Sequence, residues 1–510
     1  MTSGWSAAPD GGASVGWSAA PDGGALARRL TRREAIILGA GAVLTAGCGS
    51  AHPTAAGSGS TLASTWGDPG GTGTLAHGPG ERLLPRTELG PARALAGVIA
   101  TLAHVTDAHV LDASSPARVP FLDRLGAPFE STFRPQETLT AQVLAGAARS
   151  IRVLRPDAVI QGGDLIDNDQ RNELSWALAA LRGGLVRPDR YYGVQLASDP
   201  DPFYYRPDLD APQHPGLLSR AGRQFVSVGV RAPVYPVLGD HDILVAGEIP
   251  PTGQTRALAL GDEALWELPP GLSLPPGTAL TAGGSPDGPP LPGLVDQFLA
   301  RALAGPTVRV PASAGRVEMD PVEVIGRLGH PGETLDYSAD IGPELRLIVL
   351  DLARRGGGSG GLVRPDQPGW LASQLVNAGD RLVIVVSHQP LAGSEGGESI
   401  LTLLDAHPRV VAALSGHTHR NLIEPRVTAA GGYWLISTAS LIDYPQQARA
   451  LRVVRTAAGS VALQTWMLDH AAPGDLGTIS RQLAYLDAQG GRPRGFAGGR
   501  LDRNVTLYLR

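Results

Sequence analysis

The amino-acid sequence predicts an α/β protein with a functional site at the carboxyl ends of the strands of an open sheet. Five short apolar runs each lead into a motif that contains Asp or His, and stretches with helical patterning lie between them. Open α/β sheets place their sites at those strand ends. Hydrophobic residues make up 43% of the 510 residues and charged residues 18%, which allows a sizeable core.

The five strand-like runs are followed by motifs rich in carboxylate, imidazole and glycine. In chain order they are 98–105 before Asp107-Ala108-His109, 158–161 before Gly162-Gly163-Asp164, 234–238 before Gly239-Asp240-His241-Asp242, 382–386 before Ser387-His388-Gln389-Pro390, and 410–414 before Ser415-Gly416-His417-Thr418-His419. In an extended segment, Asp107 and His109 project on the same side and can give two ligands to one metal ion. The glycines before three of the ligands allow tight turns and a close approach to the ions.

The segments between and after these motifs complete the secondary-structure prediction. Helices are expected at 137–154, 168–181, 367–377 and 399–406, the second with Asn168 as its N-cap. Strand-like runs at 433–437, 450–454 and 461–468 are closely spaced, which favours antiparallel pairing. Two Pro-rich insertions, 184–233 and 243–343, interrupt the pattern, and we expect them to line the site.

Three features of the composition narrow the possible functions. All 43 basic residues are arginine, which excludes a P-loop lysine, a kinase lysine and Schiff-base catalysis. The single cysteine, Cys48, excludes disulfide frameworks, thiol catalysis and cysteine-ligated zinc. The net charge of −5 argues against nucleic-acid binding, which requires a basic surface.

The first 48 residues read as an export signal. Arg32 and Arg33 follow Thr31 and precede an apolar run, 35–46, that is too short to span a bilayer. This pattern resembles a twin-arginine signal, which implies the twin-arginine export machinery as a partner. The sequence Leu44-Thr45-Ala46-Gly47-Cys48 is similar to a lipobox, although Thr45 departs from the usual residue. Lipid anchoring at the outer face of the cytoplasmic membrane and cleavage with free secretion both remain open.

The ordered motifs D-x-H, G-D-x-x-D-N, G-D-H-D, S-H-Q-P and G-H-x-H resemble the signature of the calcineurin-like metallophosphoesterase superfamily. The resemblance covers about residues 95–470, and the phrase Asp443-Tyr444-Pro445-Gln446-Gln447 is similar to exported bacterial members. It implies a four-layer α/β/β/α sandwich, in which helices flank two mixed sheets. It also implies two metal ions, for which Mn, Fe and Zn suit histidine and carboxylate ligands almost equally.

Carried over residue by residue, the resemblance implies a ligand set that Asp164 bridges. The first metal would be held by Asp107, His109, Asp164 and His419, and the second by Asp164, Asp240, His388 and His417. A hydroxide shared by the ions would attack a phosphate ester in line. His241 would protonate the leaving oxygen, and Asp242 would orient His241. Asp167 stands where purple acid phosphatases carry a tyrosine, which argues against that subclass.

One residue departs from the family pattern, because Asp240 replaces the usual asparagine. A carboxylate binds metal more strongly than an amide but donates no N–H to the substrate phosphate. Its extra charge should disfavour a phosphomonoester dianion more than a diester monoanion. The sequence therefore predicts an exported phosphoesterase biased toward diesters. The alternatives are a metal- or phosphate-binding surface protein with little turnover, and an adhesive module without metal.

The predicted domain order has four parts. These are the leader at 1–48, a flexible tether at 49–92, the catalytic domain at 93–475 and a C-terminal extension at 476–510.

Two further patterns are assigned no catalytic role. The motif Gly357-Gly358-Ser359-Gly360-Gly361 matches a serine-hydrolase pattern but lacks the helix that such a nucleophile requires. His104 lies inside a strand-like run, which favours packing over ligation.

Overall fold

The structure is a computed structural model. It describes residues 59–510 apart from 119–135, 190–196, 199–204, 266–268, 270, 273–287, 292, 473 and 490–494. The export signal and Cys48 lie outside the described residues. Within the part of the chain that the structure describes, no helix is both long enough and apolar enough to cross a membrane.

Strands and helices alternate along the described chain. The strands are β1 Ser64–Gly67, β2 Ala76–Pro79, β3 Leu84–Leu89, β4 Leu95–Val105, β5 Ala158–Gln161, β6 Gly184–Val186, β7 Phe225–Ser227, β8 Val234–Pro236, β9 Glu263–Leu265, β10 Thr307–Arg309, β11 Tyr337–Ile341, β12 Leu345–Leu350, β13 Leu382–Ser387, β14 Val410–Ser415, β15 Leu422–Arg426, β16 Tyr433–Ser437, β17 Gln447–Thr456, β18 Val461–Asp469 and β19 Val505–Leu509. The helices are α1 Thr140–Leu154, α2 Arg171–Arg182, α3 Leu217–Ala221, α4 Gly253–Leu260, α5 Leu294–Ala302, α6 Pro321–Leu328, α7 Gln367–Ala378, α8 Gly397–Asp405 and α9 Leu476–Gln489.

Two large mixed sheets organise these strands. The seven-stranded sheet has the order β3-β19-β18-β17-β4-β5-β8, and the six-stranded sheet has the order β11-β12-β13-β14-β16-β15. Strands β4, β5 and β8 are parallel in the first sheet, and β12, β13, β14 and β16 are parallel in the second. The parallel strands of each sheet therefore end at one edge, where their following loops meet.

The burial pattern shows four layers. Alternate residues of β4 divide between two cores, since Leu102 faces the second sheet whereas Ala103 packs against α1 and α2. In β13, Ile384 lies between the sheets and Val385 packs against α7 and α8. Strands covered on both faces read as continuous apolar runs, which is how β5, β13 and β14 appear in the sequence. The predicted α/β/β/α sandwich is confirmed.

The segments on either side of the predicted catalytic domain are parts of the same sheet. Residues 84–89, predicted as tether, form β3, and residues 505–509, predicted as an extension, form β19 between β3 and β18. Residues 64–67 and 76–79 pair as β1 and β2. The Gly/Pro content suggested a linker at 49–92, but Leu89 is buried between the two sheets, and so is Leu507 of the predicted extension. The long-range pairing that fixes them has no local signal.

Most predicted elements occur within a few residues of their expected bounds, with one error in capping. Helix α2 begins at Arg171 rather than at Asn168, and Gln170 is its N-cap. The Asn168 side chain instead contacts Ala246 N and Asp167 Oδ2, at 2.9 and 3.1 Å. The strand at 433–437 also differs from expectation, because it pairs with β14 and β15 rather than with β17 and β18.

We predict that Leu507→Ala lowers the free energy of unfolding by about 2–5 kcal/mol, because it leaves a cavity between the sheets. Leu501→Ala is the matched control, since Leu501 lies in the same segment but is 50% exposed. It should change stability by less than about 0.5 kcal/mol. Chemical denaturation of both variants measures the difference. Equal, small effects would mean that residues 495–510 are a separate extension.

Candidate metal centre

The five sequence motifs meet at facing edges of the two sheets. The loops after β4, β5 and β8 come from the seven-stranded sheet, and those after β13 and β14 come from the six-stranded sheet. Three groups of side chains have ligand atoms within 4.8 Å of one another. The groups are Asp164, Asp240, His388 and His417; Asp107, His109 and His419; and His109, Asp167 and His241. All seven predicted metal ligands and His241 therefore come together.

The first group surrounds Asp240 and His388. His388 Nε2 lies 3.0 Å from Asp164 Oδ2 and 3.3 Å from Asp240 Oδ1. His417 Nδ1 lies 3.4 Å from the same Asp240 oxygen. Asp240 and His388 are fully buried, whereas a quarter of the His417 side chain is exposed. The group thus opens on the side of His417.

The second group is joined to the first through carboxylates. His419 Nε2 lies 3.4 Å from Asp107 Oδ1 and 3.2 Å from His109 Nε2. His109 Nε2 is also 3.7 Å from Asp164 Oδ2, the oxygen that approaches His388. Asp164 therefore faces both groups, in the position that a bridging ligand requires.

The third group places His241 beside the other two. His241 Nδ1 lies 2.7 Å from the carbonyl oxygen of Asp167, and its Nε2 is 4.0 Å from Asp240 Oδ2. Donation of the Nδ1 hydrogen to that carbonyl leaves Nε2 as the nitrogen that faces the cluster. The Asp167 carboxylate is held by Arg118 at 2.6 Å and lies 3.3 Å from His109 Nδ1.

The backbone of the ligands differs from the expected extended form. Asp107, His109, Asp164, His417 and His419 all have positive φ, between 42° and 64°. Non-glycine residues rarely adopt this left-handed conformation, and it concentrates at functional sites. The shared direction of the D-x-H and H-x-H side chains therefore arises from paired left-handed residues rather than from a strand.

Glycines make room for the ligand side chains. A Cβ atom on Gly239 would lie 2.1 Å from Asp164 Oδ1, and one on Gly163 would lie 2.4 Å from His388 Nδ1. A Cβ on Gly416 would stand 2.6 Å from Asp107 Oδ2. These contacts are shorter than any side chain permits, so the glycines set how closely the loops approach, as the sequence indicated.

The donor set fits a pair of divalent cations. His388 Nδ1 lies 2.8 Å from the carbonyl oxygen of Gly162, which fixes the hydrogen on that nitrogen. The fully buried Nε2 points at the carboxylates of Asp164 and Asp240, at 3.0 and 3.3 Å. A lone pair aimed at two buried anions is stable only with a proton or a cation between them. Buried carboxylates and imidazoles without thiolates suit Mn, Fe or Zn.

The charges of the metal-free chain lead to the same conclusion. Burial opposes the charged His388 ring, but Asp164, Asp240 and Asp107 outweigh burial and hold the pKa of His388 well above its usual value. Burial would likewise raise the pKa of Asp240, but His417 and His388 hold it well below the ordinary range. Without metal, protons on His388 and His417 would offset part of the carboxylate charge. Cations would displace those protons, so their binding weakens as the pH falls.

Some supporting contacts were not identified from the sequence. Asp443 Oδ2 accepts a hydrogen bond from His419 Nδ1, which turns His419 Nε2 toward the cluster. Gln389 Nε2 donates to Asp240 Oδ1 at 2.9 Å and to the carbonyl of Ser359 at 3.1 Å. Asp443 and Gln389 lie in two of the sequence motifs given above, but only the fold shows which candidate ligand each one orients.

The resemblance implies that Asp242 orients His241, but the structure shows a different role for Asp242. Its Oδ1 accepts from the backbone N–H groups of Leu165 and Ile166, and its Oδ2 accepts from Gly239 N. Burial and the nearby Asp164 raise the pKa of Asp242 to about 7. Asp242 thus ties the loop after β8 to the loop after β5, and the Asp167 carbonyl orients His241 instead.

The histidine assigned to packing lies in the core. His104 is 1% exposed, and its Nδ1 lies 2.9 Å from Thr438 Oγ1. Burial, together with the positive Arg449, lowers the pKa of His104 to about 3, so the ring stays neutral.

The Gly357–Gly361 stretch holds Ser359, whose carbonyl accepts from Gln389, and the next helix, α7, begins only at Gln367. The serine-hydrolase match therefore stays rejected.

The second insertion and the C-terminal segment reach the rim of the centre. A Cβ on Gly247, within the second insertion, would lie 2.3 Å from His241 Cδ2. The Phe496 ring centroid is 6.0 Å from that of His419, and the Phe496 carbonyl accepts from Asn421 N. Arg420 beside it is exposed. The aromatic residues 191, 192, 203 and 204 of the first insertion lie outside the described residues.

Comparisons with known proteins give distant structural likenesses. No family model matches the sequence, and no curated protein matches it. Among solved structures, a dimetal phosphatase from Danio rerio is 13% identical with a TM-score of 0.36, over 73% of this chain and 99% of that chain. The sulfate thiohydrolase SoxB from Thermus thermophilus, in complex with glycerol, is 12% identical with a TM-score of 0.28, over 77% of this chain and 61% of that chain. Neither TM-score reaches 0.5, so neither likeness establishes the family or the activity.

We predict that Asp443→Asn weakens binding of the divalent cation by about 10–100-fold, because partners of ligating histidines fix their orientation and basicity. Calorimetric titration with Mn²⁺ or Zn²⁺ measures the change. Asp469→Asn is the control, since Asp469 is equally buried but accepts from Gln447 outside the cluster. If both variants bind like the unmodified chain, Asp443 has no role in holding the metal.

Proposed function

We propose that this chain is a dinuclear metal-dependent phosphoesterase. The observation that supports it best is the arrangement around Asp164, whose Oδ2 faces the histidines of both ligand groups, with His241 beside them. A bridging carboxylate between two imidazole-rich sites suits two-metal hydrolysis of phosphate esters.

The residues divide into those that hold cations and those that shape the pocket. Asp107, His109 and His419 would hold one ion, Asp240, His388 and His417 the other, and Asp164 both. Bound cations would polarise the phosphoryl oxygens and lower the pKa of water. The exposed part of His417 and the neighbouring Arg420 mark the open side, where the phosphate ester would enter.

His241 is the candidate general acid. Burial disfavours its charged form, but Asp164, Asp240 and Asp167 outweigh burial and raise the pKa of His241 to about 9 in the metal-free chain. With Nδ1 held by the Asp167 carbonyl, Nε2 faces the cluster and would deliver a proton to a leaving oxygen.

We extend the proposal to export. The twin-arginine-like pair Arg32 and Arg33 and the lipobox-like Cys48 favour action outside the cytoplasmic membrane, with the chain either lipid-anchored or secreted. Sizing and mass analysis of the mature chain recovered from a bacterial host would test this, because removal of residues 1–47 with a lipid on Cys48 supports anchoring. An uncleaved chain in the cytoplasm would contradict it.

We predict that His241→Ala lowers kcat toward a generic aryl phosphodiester by about 10²–10⁴-fold while the chain retains two metal ions, because only proton transfer to the leaving group is lost. Activity and metal content are measured on the same sample. His407→Ala is the control, since His407 lies outside the cluster. Unchanged turnover in His241→Ala would remove His241 from the mechanism, and a chain without metal and without activity would contradict the proposed function.

The carboxylate at position 240 suggests a second candidate function. Asp240 Oδ1 faces His388, His417 and Gln389, and Oδ2 stands where an asparagine would present its N–H₂ group. An anion at that position repels phosphate, so a metal- or phosphate-binding protein with little turnover is the alternative. A metal-loaded chain that is inert toward every ester, and that becomes active as Asp240→Asn, would favour this alternative.

We predict that Asp240→Asn raises kcat/KM for an aryl phosphomonoester by about tenfold or more relative to the diester, since it removes one charge and adds a donor. The Asn Oδ1 can keep the contact with Gln389. Steady-state kinetics with both esters measures the ratio, and Asp469→Asn should leave it unchanged. An unchanged ratio in Asp240→Asn would disprove the diester bias.

A further inference from the structure

A second charged cleft lies at the opposite edge of the seven-stranded sheet. It has a volume of about 720 Å³ and is lined by Arg149, Arg152, Arg155 and Arg231 together with apolar residues such as Val228. The arginines come from the end of α1 and from the segment before β8. The metal ligands follow the carboxyl ends of β5 and β8, so this arginine cleft is at the amino ends of the same strands.

The arginine cleft contains positive charge without a balancing carboxylate. Its lining includes no Asp or Glu. Within the described ranges, Arg149, Arg155 and Arg231 form no ion pair or side-chain hydrogen bond, and Arg152 donates only to the carbonyl of Val228, at 2.9 Å. Asp157, next in sequence, is engaged elsewhere, since its Oδ2 accepts from Thr101 N.

Another arginine-containing cleft shows the opposite situation. That cleft, of about 400 Å³, is lined by Arg381, Arg409 and Arg455 along with Glu344 and Asp380. There Arg409 pairs with Asp380 at 3.3 Å, Arg455 pairs with Glu344, and Arg381 lies 3.5 Å from Asp340. Ion pairs within the chain can therefore neutralise an arginine-rich surface, but they do not neutralise the arginine cleft.

Two of the four arginines occupy backbone positions that suit them poorly. Arg155 follows α1 with φ 52° and ψ 57°, and Arg231 has φ 59°. Glycine or asparagine adopts the left-handed conformation at lower cost, and glycine is the usual residue after a helix. A positive charge near the end of α1 is favourable to the helix dipole, which accounts for Arg152 in the last turn. The dipole does not account for Arg231 or for a concave group of four.

We propose that the arginine cleft binds an oxyanion of the phosphate class, independently of the metal centre. Guanidinium groups pair with phosphate oxygens through two parallel N–H···O bonds, and four of them can surround one polyvalent anion. The whole chain carries a net charge of −5, so its general electrostatics would not attract anions. The anion is either free phosphate or a phosphate group at a lipid surface, which share this chemistry.

Titration of the full chain with inorganic phosphate tests the site, after dialysis against a chelator so that no cation holds phosphate at the metal centre. The test variant is Arg155→Asn with Arg231→Asn, because asparagine tolerates the left-handed backbone and the fold is kept. The control is Arg82→Asn with Arg301→Asn, two exposed arginines outside the cleft. Thermal melting checks that both variants are folded.

We expect the cleft variant to bind phosphate at least about tenfold more weakly than the unmodified chain, and the control variant to bind equally well. Co-sedimentation with anionic phosphatidylglycerol vesicles, beside neutral phosphatidylcholine vesicles, identifies the source of the anion. Loss of vesicle binding in the cleft variant indicates a lipid phosphate, and loss of phosphate binding alone indicates the free anion. The proposal is wrong if the unmodified chain binds neither, or if both variants bind alike.

Discussion

Three buried carboxylates, those of Asp107, Asp164 and Asp240, converge in the interior at facing edges of two sheets, and an apolar interior holds them only if positive charge lies among them. Each is at most 2% exposed. Because unpaired buried anions are very costly, the surrounding histidines must bring protons or share cations. The left-handed ligand residues, the glycines that admit them and the carbonyls that fix the imidazole hydrogens all serve this requirement.

The same constraint explains what the sequence reveals and what it conceals. The strands and the convergence of the seven candidate ligands are predictable, because each of these residues follows an apolar run and its residue type carries the chemistry. The orientation of the ligands is not predictable, since it depends on partners such as Asp443, 24 residues from His419 in the chain. Likewise, the partner of His241 is a backbone carbonyl, which has no signature in a sequence. Asp242, the sequence neighbour expected to orient His241, accepts hydrogen bonds from backbone N–H groups instead.

The two charged regions occupy opposite edges of one sheet. At the carboxyl edge, carboxylates such as Asp164 lie among the histidines that would share cations with them. At the amino edge, arginines such as Arg155 and Arg231 give an uncompensated positive charge. The parallel strands β5 and β8 connect the two. A phosphate ester would be attracted to the first region when cations are bound there, whereas the proposed anion site would not depend on cations.

The pairing of β3 with β19 constrains how the chain can be made. Leu84 and Val505 are partners in the register, and the ribosome must add more than 400 residues between them. Until β19 is synthesised, the edge of β18 has no partner strand. Trp434 and Leu451, which share a core cluster with residues of β19, also lack those neighbours. In the nascent chain β3 therefore waits for its partner through most of synthesis, and the edge of β18 stays open until β19 follows; such edges recruit strands from other chains. Protection of this edge by a chaperone during translation would suppress aggregation of the unfinished protein.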